Sequence, residues 1–308
     1  MSRIAVTGSS GLIGTALVAA LRERGDEVVR LVRRTPRSAD EVQWDPSGRT
    51  LDPRVLDGVD GVVNLAGAGV GDRRWSPGYK HEILASRVDS TTAVATAVAQ
   101  ADHPVRLVSG SAVGYYGDRG DEELTETSPP GHDFLADVVL AWEAAVNPAV
   151  DAGASVAVVR TGIVLAREGG AMKPLLRLAR LGLAGPLGSG RQYMPWITLP
   201  DEVGALLFLL DHPEVTGPVN LSAPEPARQR DVSTALGAAL HRPAVLPAPA
   251  IALRLVLGEF AGGVLGGQRI TGDVLRDSGY EFVHGDLEAA VRWLVASPDG
   301  VRHAPTRS

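Results

Sequence analysis

Short apolar runs alternate along the chain with longer stretches in which apolar residues recur at helical spacing. Ile4-Ala5-Val6 opens the pattern with a run suited to a strand buried on both faces. An alanine-rich helical segment follows, ending near Arg24. Glu27-Val28-Val29-Arg30-Leu31-Val32 predicts a second strand and Gly61-Val62-Val63-Asn64 a third, with further strands over 105–109 and 155–160. Helices are expected over 86–100, where Val88, Ala95 and Val98 mark part of a buried face, and over 134–146. This alternation predicts an α/β fold, a Rossmann-type parallel sheet with helices on both faces.

Beyond Gly162 the pattern loosens. Helices are expected over 172–183, 201–210, 230–240 and 287–294, a turn over 185–190 and a strand over 218–221, with Pro and Gly breaking the remainder into short pieces. We therefore expect a core over 1–165 and, over 166–296, a smaller mixed lobe with returning core elements, including a distinct C-terminal domain around 245–296. Residues 297–308 read as a flexible polar tail.

The glycines give this architecture a ligand. Gly8-Ser9-Ser10-Gly11-Leu12-Ile13-Gly14 joins the first strand to the first helix, in the context of a dinucleotide-binding turn, although the spacing is Gly-x-x-Gly-x-x-Gly. Thr7, Gly8, Ser10, Gly11, Leu12, Ile13 and Gly14 are thus expected around a pyrophosphate, where backbone N–H groups and the helix dipole favour negative charge. The second strand ends at Arg33-Arg34. Two guanidinium groups there suit a 2'-phosphate and favour NADP(H) over NAD; the plainer alternative is that Arg33, Arg34 and Arg37 solvate a loop. Asn64, Leu65, Ala66 and Gly67, together with Ser109, Arg160 and Gly162, fall near strand C-terminal ends, the ligand-binding edge of a parallel sheet.

Charge and composition narrow the partners. The 308 residues carry a formal charge of -6 and no cysteine; disulfides, thiol nucleophiles and thiolate metal sites are excluded, and a general nucleic-acid surface is unsupported. The apolar stretch 248–267 contains Arg254, Glu259 and several glycines, so it reads as packed helix and turn rather than a membrane span. The expected protein is cytoplasmic, a monomer or homodimer acting on a small molecule. The seven histidines are scattered without a metal-ligand pattern, and no Gly-x-Ser-x-Gly elbow occurs.

Two segments suggest substrate contacts. Arg73-Arg74-Trp75 could enter the cleft with an anion-binding arginine and an apolar ring; Lys80 would extend that contact, and Arg87 recurs on the following helix. Gly188-Ser189-Gly190-Arg191-Gln192-Tyr193-Met194-Pro195-Trp196 offers a second wall, with Arg191, Tyr193 and Trp196 facing a ligand. A structural loop joining two lobes is the alternative. Asp133 reads as an acid/base group or a helix cap, and Glu143 as an acid/base group or a structural anchor.

The glycine turn, Asn64-Leu65-Ala66-Gly67, Arg73-Arg74-Trp75, Ser109-Gly110-Ser111-Ala112-Val113-Gly114-Tyr115-Tyr116-Gly117 and residues 185–196 together resemble the extended short-chain dehydrogenase/reductase superfamily. More narrowly, the chain is similar to its epimerase-like oxidoreductase family with a distinctive C-terminal domain, sometimes described as cell-division inhibitors. Leu265-Gly266-Gly267-Gln268-Arg269 and Gly279-Tyr280-Glu281-Phe282 carry the resemblance to that domain. It implies a tyrosine acid/base, a lysine four residues later and a serine at the substrate oxygen. Ser111 matches the serine, but the expected helix reads Phe134-Leu135-Ala136-Asp137-Val138-Val139, and Lys80 and Lys173 are the only lysines. Tyr116 is the preferred substitute proton carrier over Tyr115, because Tyr116-Gly117 best resembles the superfamily's strand-end pair. The expected activity is hydride transfer between NADP(H) and a small carbonyl or alcohol, with Ser111 stabilising developing charge. Epimerisation through a transient keto sugar and a non-catalytic NADPH sensor are the alternatives.

Overall fold

In the computed structural model, which describes residues 1–296, seven strands form one parallel sheet. They are β1 (Arg3–Thr7), β2 (Glu27–Val32), β3 (Glu41–Gln43), β4 (Gly61–Asn64), β5 (Arg106–Ala112), β7 (Val156–Thr161) and β11 (Gly217–Leu221), numbered in chain order together with the shorter strands that lie elsewhere. Their order is β11-β7-β5-β4-β1-β2-β3, every neighbouring pair parallel. Side chains alternate between two cores, as a sheet covered on both faces requires. Ile4 and Val6 enter one with Val63, Val108 and Val159; Ala5 enters the other with Val62, Leu107 and Val158. α1 (Leu12–Arg24) and α6 (Leu199–Asp211) cover the first face, and α2 (Pro77–Ala99) and α4 (Asn147–Asp151) the second. Leu17 and Leu21 of α1 are fully buried, each worth roughly 1.5–3 kcal/mol of transfer free energy.

Several boundaries differ from those the pattern predicts. Helix α2 begins at Pro77, nine residues before 86, because the Ser76 hydroxyl accepts the Tyr79 N–H at 3.2 Å and Pro77 occupies the first turn. β3 had no apolar run to announce it. It is three residues long and begins at Glu41, whose buried carboxylate arginines hold. α3 (Phe134–Ala144) and α5 (Met172–Arg180) end earlier than their apolar patterns.

The smaller lobe is built from short pairs: β6 (Glu123–Leu124) with β13 (Arg269–Ile270), β8 (Ile163–Leu165) with β10 (Trp196–Thr198), and β9 (Tyr193–Met194) with β12 (Ala227–Arg228). α5, α7 (Gln229–Leu240) and α11 (Leu287–Val295) share a core around Trp196. α8 (Ala250–Leu257), α9 (Ala261–Leu265) and α10 (Asp273–Asp277) complete the lobe. The 248–267 stretch is helix and turn as expected, yet α8 buries none of its residues, and Ile251, Leu255 and Val256 face outward. No described helix is long and apolar enough to cross a membrane. The tail predicted over 297–308 lies outside the described residues.

One polar contact ties the lobe to the sheet helices. The fully buried Asp201 carboxylate, in the first turn of α6, accepts the Thr198 hydroxyl at 2.6 Å and the N–H groups of Val283 and His284 at 2.7 and 3.1 Å. Its backbone carbonyl accepts the Tyr280 hydroxyl at 3.0 Å.

Candidate active site

The glycine turn is shaped by backbone approaching backbone. Gly8 has φ +63°, and a Cβ there would lie 2.5 Å from the Leu65 carbonyl oxygen; a Cβ on Gly14 would lie 2.2 Å from the Gly8 carbonyl oxygen. Gly11 caps α1 without any side-chain acceptor, which leaves first-turn N–H groups without partners among the described residues. Ser10 and Gly11 are exposed, and Leu12 and Ile13 half-buried. This side-chain-free cradle at a helix N-terminus fits the pyrophosphate of a dinucleotide.

Thr7, Asn64 and Ser109 lie beneath that surface rather than on it, each fully buried. Thr7 donates its hydroxyl to Asn64 Oδ1 at 2.7 Å and accepts the N–H groups of Leu65 and Ala66. Asn64 Nδ2 donates to Thr91 Oγ1 at 2.9 Å, which also accepts the Trp142 indole N–H. These side chains therefore brace the turn that carries Leu65, Ala66 and the exposed Gly67 instead of presenting polar groups to a ligand.

The two arginines after β2 have separate fates. Arg34 makes a forked pair with Glu41, at 2.7 and 2.6 Å, and its hydrogen bond leads the contacts that hold the Glu41 carboxyl down at about 2. Arg33 is exposed and makes no ion pair among the described residues. Arg33 therefore has its guanidinium free of polar protein contacts among the described residues, whereas Arg34 has already committed its Nη1–Nη2 end to Glu41.

At the end of β5, Ser111 Oγ donates to Glu143 Oε1 at 2.6 Å. Glu143 is gripped in turn by Arg160, Nε and Nη2 each at 2.8 Å. Arg160 is buried, and its remaining nitrogen donates to the Tyr116 hydroxyl at 3.0 Å and the Glu126 carbonyl at 3.1 Å. Its place in the cofactor set is therefore corrected: all three guanidinium nitrogens already donate within the chain. Tyr116 is corrected likewise. Its ring is wholly buried, its hydroxyl donates to Asn220 Oδ1 at 2.7 Å, and burial pushes the phenol up to about 12. Tyr115 keeps partial exposure and lies against Arg160, whose guanidinium carbon is 3.5 Å from the ring centroid. Asp133 acts as a helix cap, accepting the Ala136 N–H at 2.9 Å, while Glu143 joins Ser111 to the core.

The expected substrate walls divide the same way. Trp196 is buried in the lobe core and is not available to a ligand as it stands. Lys80 forms an ion pair with Glu259 and packs over the rings of Phe134 and Trp75, so it clasps the lobe to α2 instead of leaving a free cation. Trp75 sits between Phe134 and Phe260, centroids 5.0 and 5.7 Å away. Arg74 is exposed beside Gly258, Arg191 is exposed, and Tyr193 is half-buried under the Arg228 guanidinium at 4.3 Å. Gly162 is a packing position: a Cβ would lie 2.8 Å from the Pro195 carbonyl oxygen.

Ser111 and Glu143 were each singled out from the sequence but their contact was not, and Glu202 was not singled out at all. The link from Ser111 to Glu143 spans 32 residues, and no local spacing announces it. Glu202, adjacent to Asp201, is fully buried: Oε1 accepts the Thr161 hydroxyl at 2.8 Å, Oε2 has no partner, and burial pushes the carboxyl up to about 8. Among the described residues no cluster of three or more His, Cys, Asp or Glu is arranged to hold a metal ion.

Residues 4–221 match the family described as NAD dependent epimerase/dehydratase, and residues 248–294 match a domain of unknown function, DUF1731. Epimerase family protein Mb2239 of Mycobacterium bovis is 43% identical over 296 residues, covering 96% of this chain and 98% of that protein. Mouse epimerase family protein SDR39U1 is 40% identical, covering 96% of this chain and 100% of the relative. Among solved structures, human epimerase family protein SDR39U1 with NADPH superposes with a TM-score of 0.88 at 36% identity, covering 95% of this chain and 98% of that one. A nucleoside-diphosphate sugar epimerase from Corynebacterium glutamicum gives 0.78 at 36% identity, covering 94% of this chain and 57% of the other.

Proposed function

The chain belongs to the NAD dependent epimerase/dehydratase family, and we propose that it is an NADP(H)-dependent oxidoreductase interconverting a small organic alcohol and its carbonyl compound. The observation that carries this reading is the glycine cradle, where Gly8 and Gly14 leave backbone N–H groups at the α1 terminus open to a diphosphate. The relative solved with NADPH supports the same cofactor. In this reading the N–H groups of Leu12 and Ile13 hold the pyrophosphate and Arg33 the 2'-phosphate, with the Leu65–Gly67 turn flanking the cofactor. A bound nicotinamide supplies or accepts the hydride.

Ser111 is the substrate-oxygen residue of this proposal. Its proton is committed to Glu143, so Oγ offers only lone pairs to a ligand, and the group it receives in this arrangement is a hydroxyl. A carbonyl oxygen is received only after the Ser111 hydroxyl turns away from Glu143. The Arg160 fork keeps Glu143 in place as an acceptor during either exchange. When the alcohol loses its hydride, its hydroxyl proton passes to Ser111 Oγ as the Ser111 proton passes to Glu143, a relay that takes the place of the superfamily's tyrosine and lysine, neither of which occurs over residues 134–139.

The test is a titration with NADPH and NADH followed by a screen of alcohols and carbonyl compounds, reading nicotinamide absorbance. Tighter binding of NADPH, and turnover that Ser111→Ala reduces by about two orders of magnitude with NADPH affinity kept, is the expected result. Equal turnover by the variant would reject Ser111. Tight NADPH binding without oxidation of it by any carbonyl compound, or reduction of NADP by any alcohol, would favour a sensor.

A further inference from the structure

Arg87 is a cation whose surroundings the reading above leaves unexplained. It projects from α2 against the exposed Gly67, where an added Cβ would lie 3.3–3.5 Å from its Cγ, Cζ and Nη1 atoms. Its guanidinium lies 5.0 Å from the ring of Trp142. That ring is held by Thr91 and in turn covers Gly110, next to Ser111, at 3.1 Å from where a Cβ would stand. Arg87 is therefore fixed beside the C-terminal ends of β4 and β5.

Its charge has no partner among the described residues. The nearby cations Arg73, Lys80 and Arg160 are paired with Glu82, Glu259 and Glu143, whereas Arg87 makes one hydrogen bond, Nη1 to the Ile83 carbonyl at 3.0 Å. Burial without a counterion lowers it to about 10. Half-burying a guanidinium with no carboxylate is costly, and stacking on an indole returns only part of that. The unbonded Nε and Nη2 are not sealed from solvent, so a fork of two in-plane donors stays open beside the Gly67 turn, the geometry that receives a planar oxyanion.

We propose that Arg87 is the anion-binding residue of this cleft and that the substrate carries a carboxylate or phosphate group beside its reacting carbon. The anion rests on the surroundings of Arg87 alone; its assignment to a substrate rests on the oxidoreductase reading. Trp142 restrains the guanidinium from one side, and Gly67 leaves room for it. Among small carbonyl compounds and alcohols, 2-oxo and 2-hydroxy acids and their phosphorylated counterparts have the required chemistry. The cofactor diphosphate is the other source of such oxygens, and the two are separable.

Wild-type protein, Arg87→Met and Arg87→Lys would each be titrated calorimetrically with oxalate and with inorganic phosphate, with and without saturating NADPH, and separately with NADPH alone. Met retains the stem against Gly67 and Trp142, and Lys restores charge without the fork. The expected result is anion binding by wild type that falls about tenfold or more in Arg87→Met and recovers in part in Arg87→Lys, with NADPH affinity changed less than about twofold. Anion affinity equal in wild type and Arg87→Met, or no anion binding by wild type, would overturn the proposal. So would a large loss of NADPH affinity in Arg87→Met, which would assign the fork to the cofactor. Failure of wild type to bind NADPH would remove the cofactor reading, while the cofactor-free titrations would still decide Arg87.

Discussion

The Tyr116 hydroxyl donates to Asn220 Oδ1 and accepts from Arg160, closing a buried bridge between the end of β5 and the edge strand β11. A phenol so placed holds strands together and has no free edge for a substrate. Tyr116→Phe is therefore expected to lower stability by about 1–3 kcal/mol through two unsatisfied buried partners, with NADPH affinity unchanged. Chemical denaturation and cofactor titration check this; unchanged stability with lost turnover would return Tyr116 to a catalytic role.

Replacing a helical glycine by alanine ordinarily stabilises a helix, by about 1 kcal/mol. At Gly14 the sign is expected to reverse, because the added methyl group meets the Gly8 carbonyl oxygen at 2.2 Å. Gly14→Ala should melt at lower temperature than wild type and lose NADPH affinity by about tenfold or more. A more stable variant that still binds NADPH would mean that the cradle tolerates a wider turn than its packing indicates.

Arg33 and Arg34 are expected to separate cofactor choice from stability. Arg33→Ala should weaken NADPH binding by about tenfold while leaving NADH unaffected, as loss of one charged contact to a phosphate predicts. Arg34→Ala should instead lower the melting temperature, since it removes the forked partner of the buried Glu41, and should leave the NADPH-to-NADH preference in place. Parallel fluorescence titrations of both variants decide the assignment.

Glu202 sets a pH dependence with a definite sign. Its carboxyl titrates near 8 in the folded chain against an ordinary 4.5, so between those values the folded state keeps a proton that the unfolded state releases. Stability therefore falls as pH rises through this window and is greatest below it. Glu202→Gln should flatten the slope and stabilise the protein at pH 7, by an amount on the order of 3 kcal/mol at 1.36 kcal/mol per pH unit. Urea midpoints across about pH 5 to 8 measure it; an unchanged slope would show that Glu202 ionises in the folded state.

The sheet and glycine turn were legible because their signals are local. Ile4-Ala5-Val6 alternates between the two cores within three residues, and Gly8, Gly11 and Gly14 span the junction into α1, with Gly11 at its N-cap and Gly14 in its first turn. The polar centre was not legible in the same way. Whether Arg160 faces a ligand or Glu143 depends on a partner 17 residues away, and nothing in the sequence around Trp196 distinguishes a pocket wall from the lobe core it occupies. Lys80 reads as a free cation until the fold brings Glu259 to it. Composition excluded thiol chemistry, but which arginines are already paired is a property of the tertiary structure alone.

Asp201 lies in the matched stretch 4–221, whereas the amides of Val283 and His284 that satisfy it lie in the stretch 248–294. The boundary between these two regions is therefore one of sequence description and not of folding. A chain cut after 221 would strip a buried carboxylate of its Val283 and His284 donors and leave it Thr198 alone, and recombination between relatives could exchange the C-terminal stretch only where both sides of this contact match.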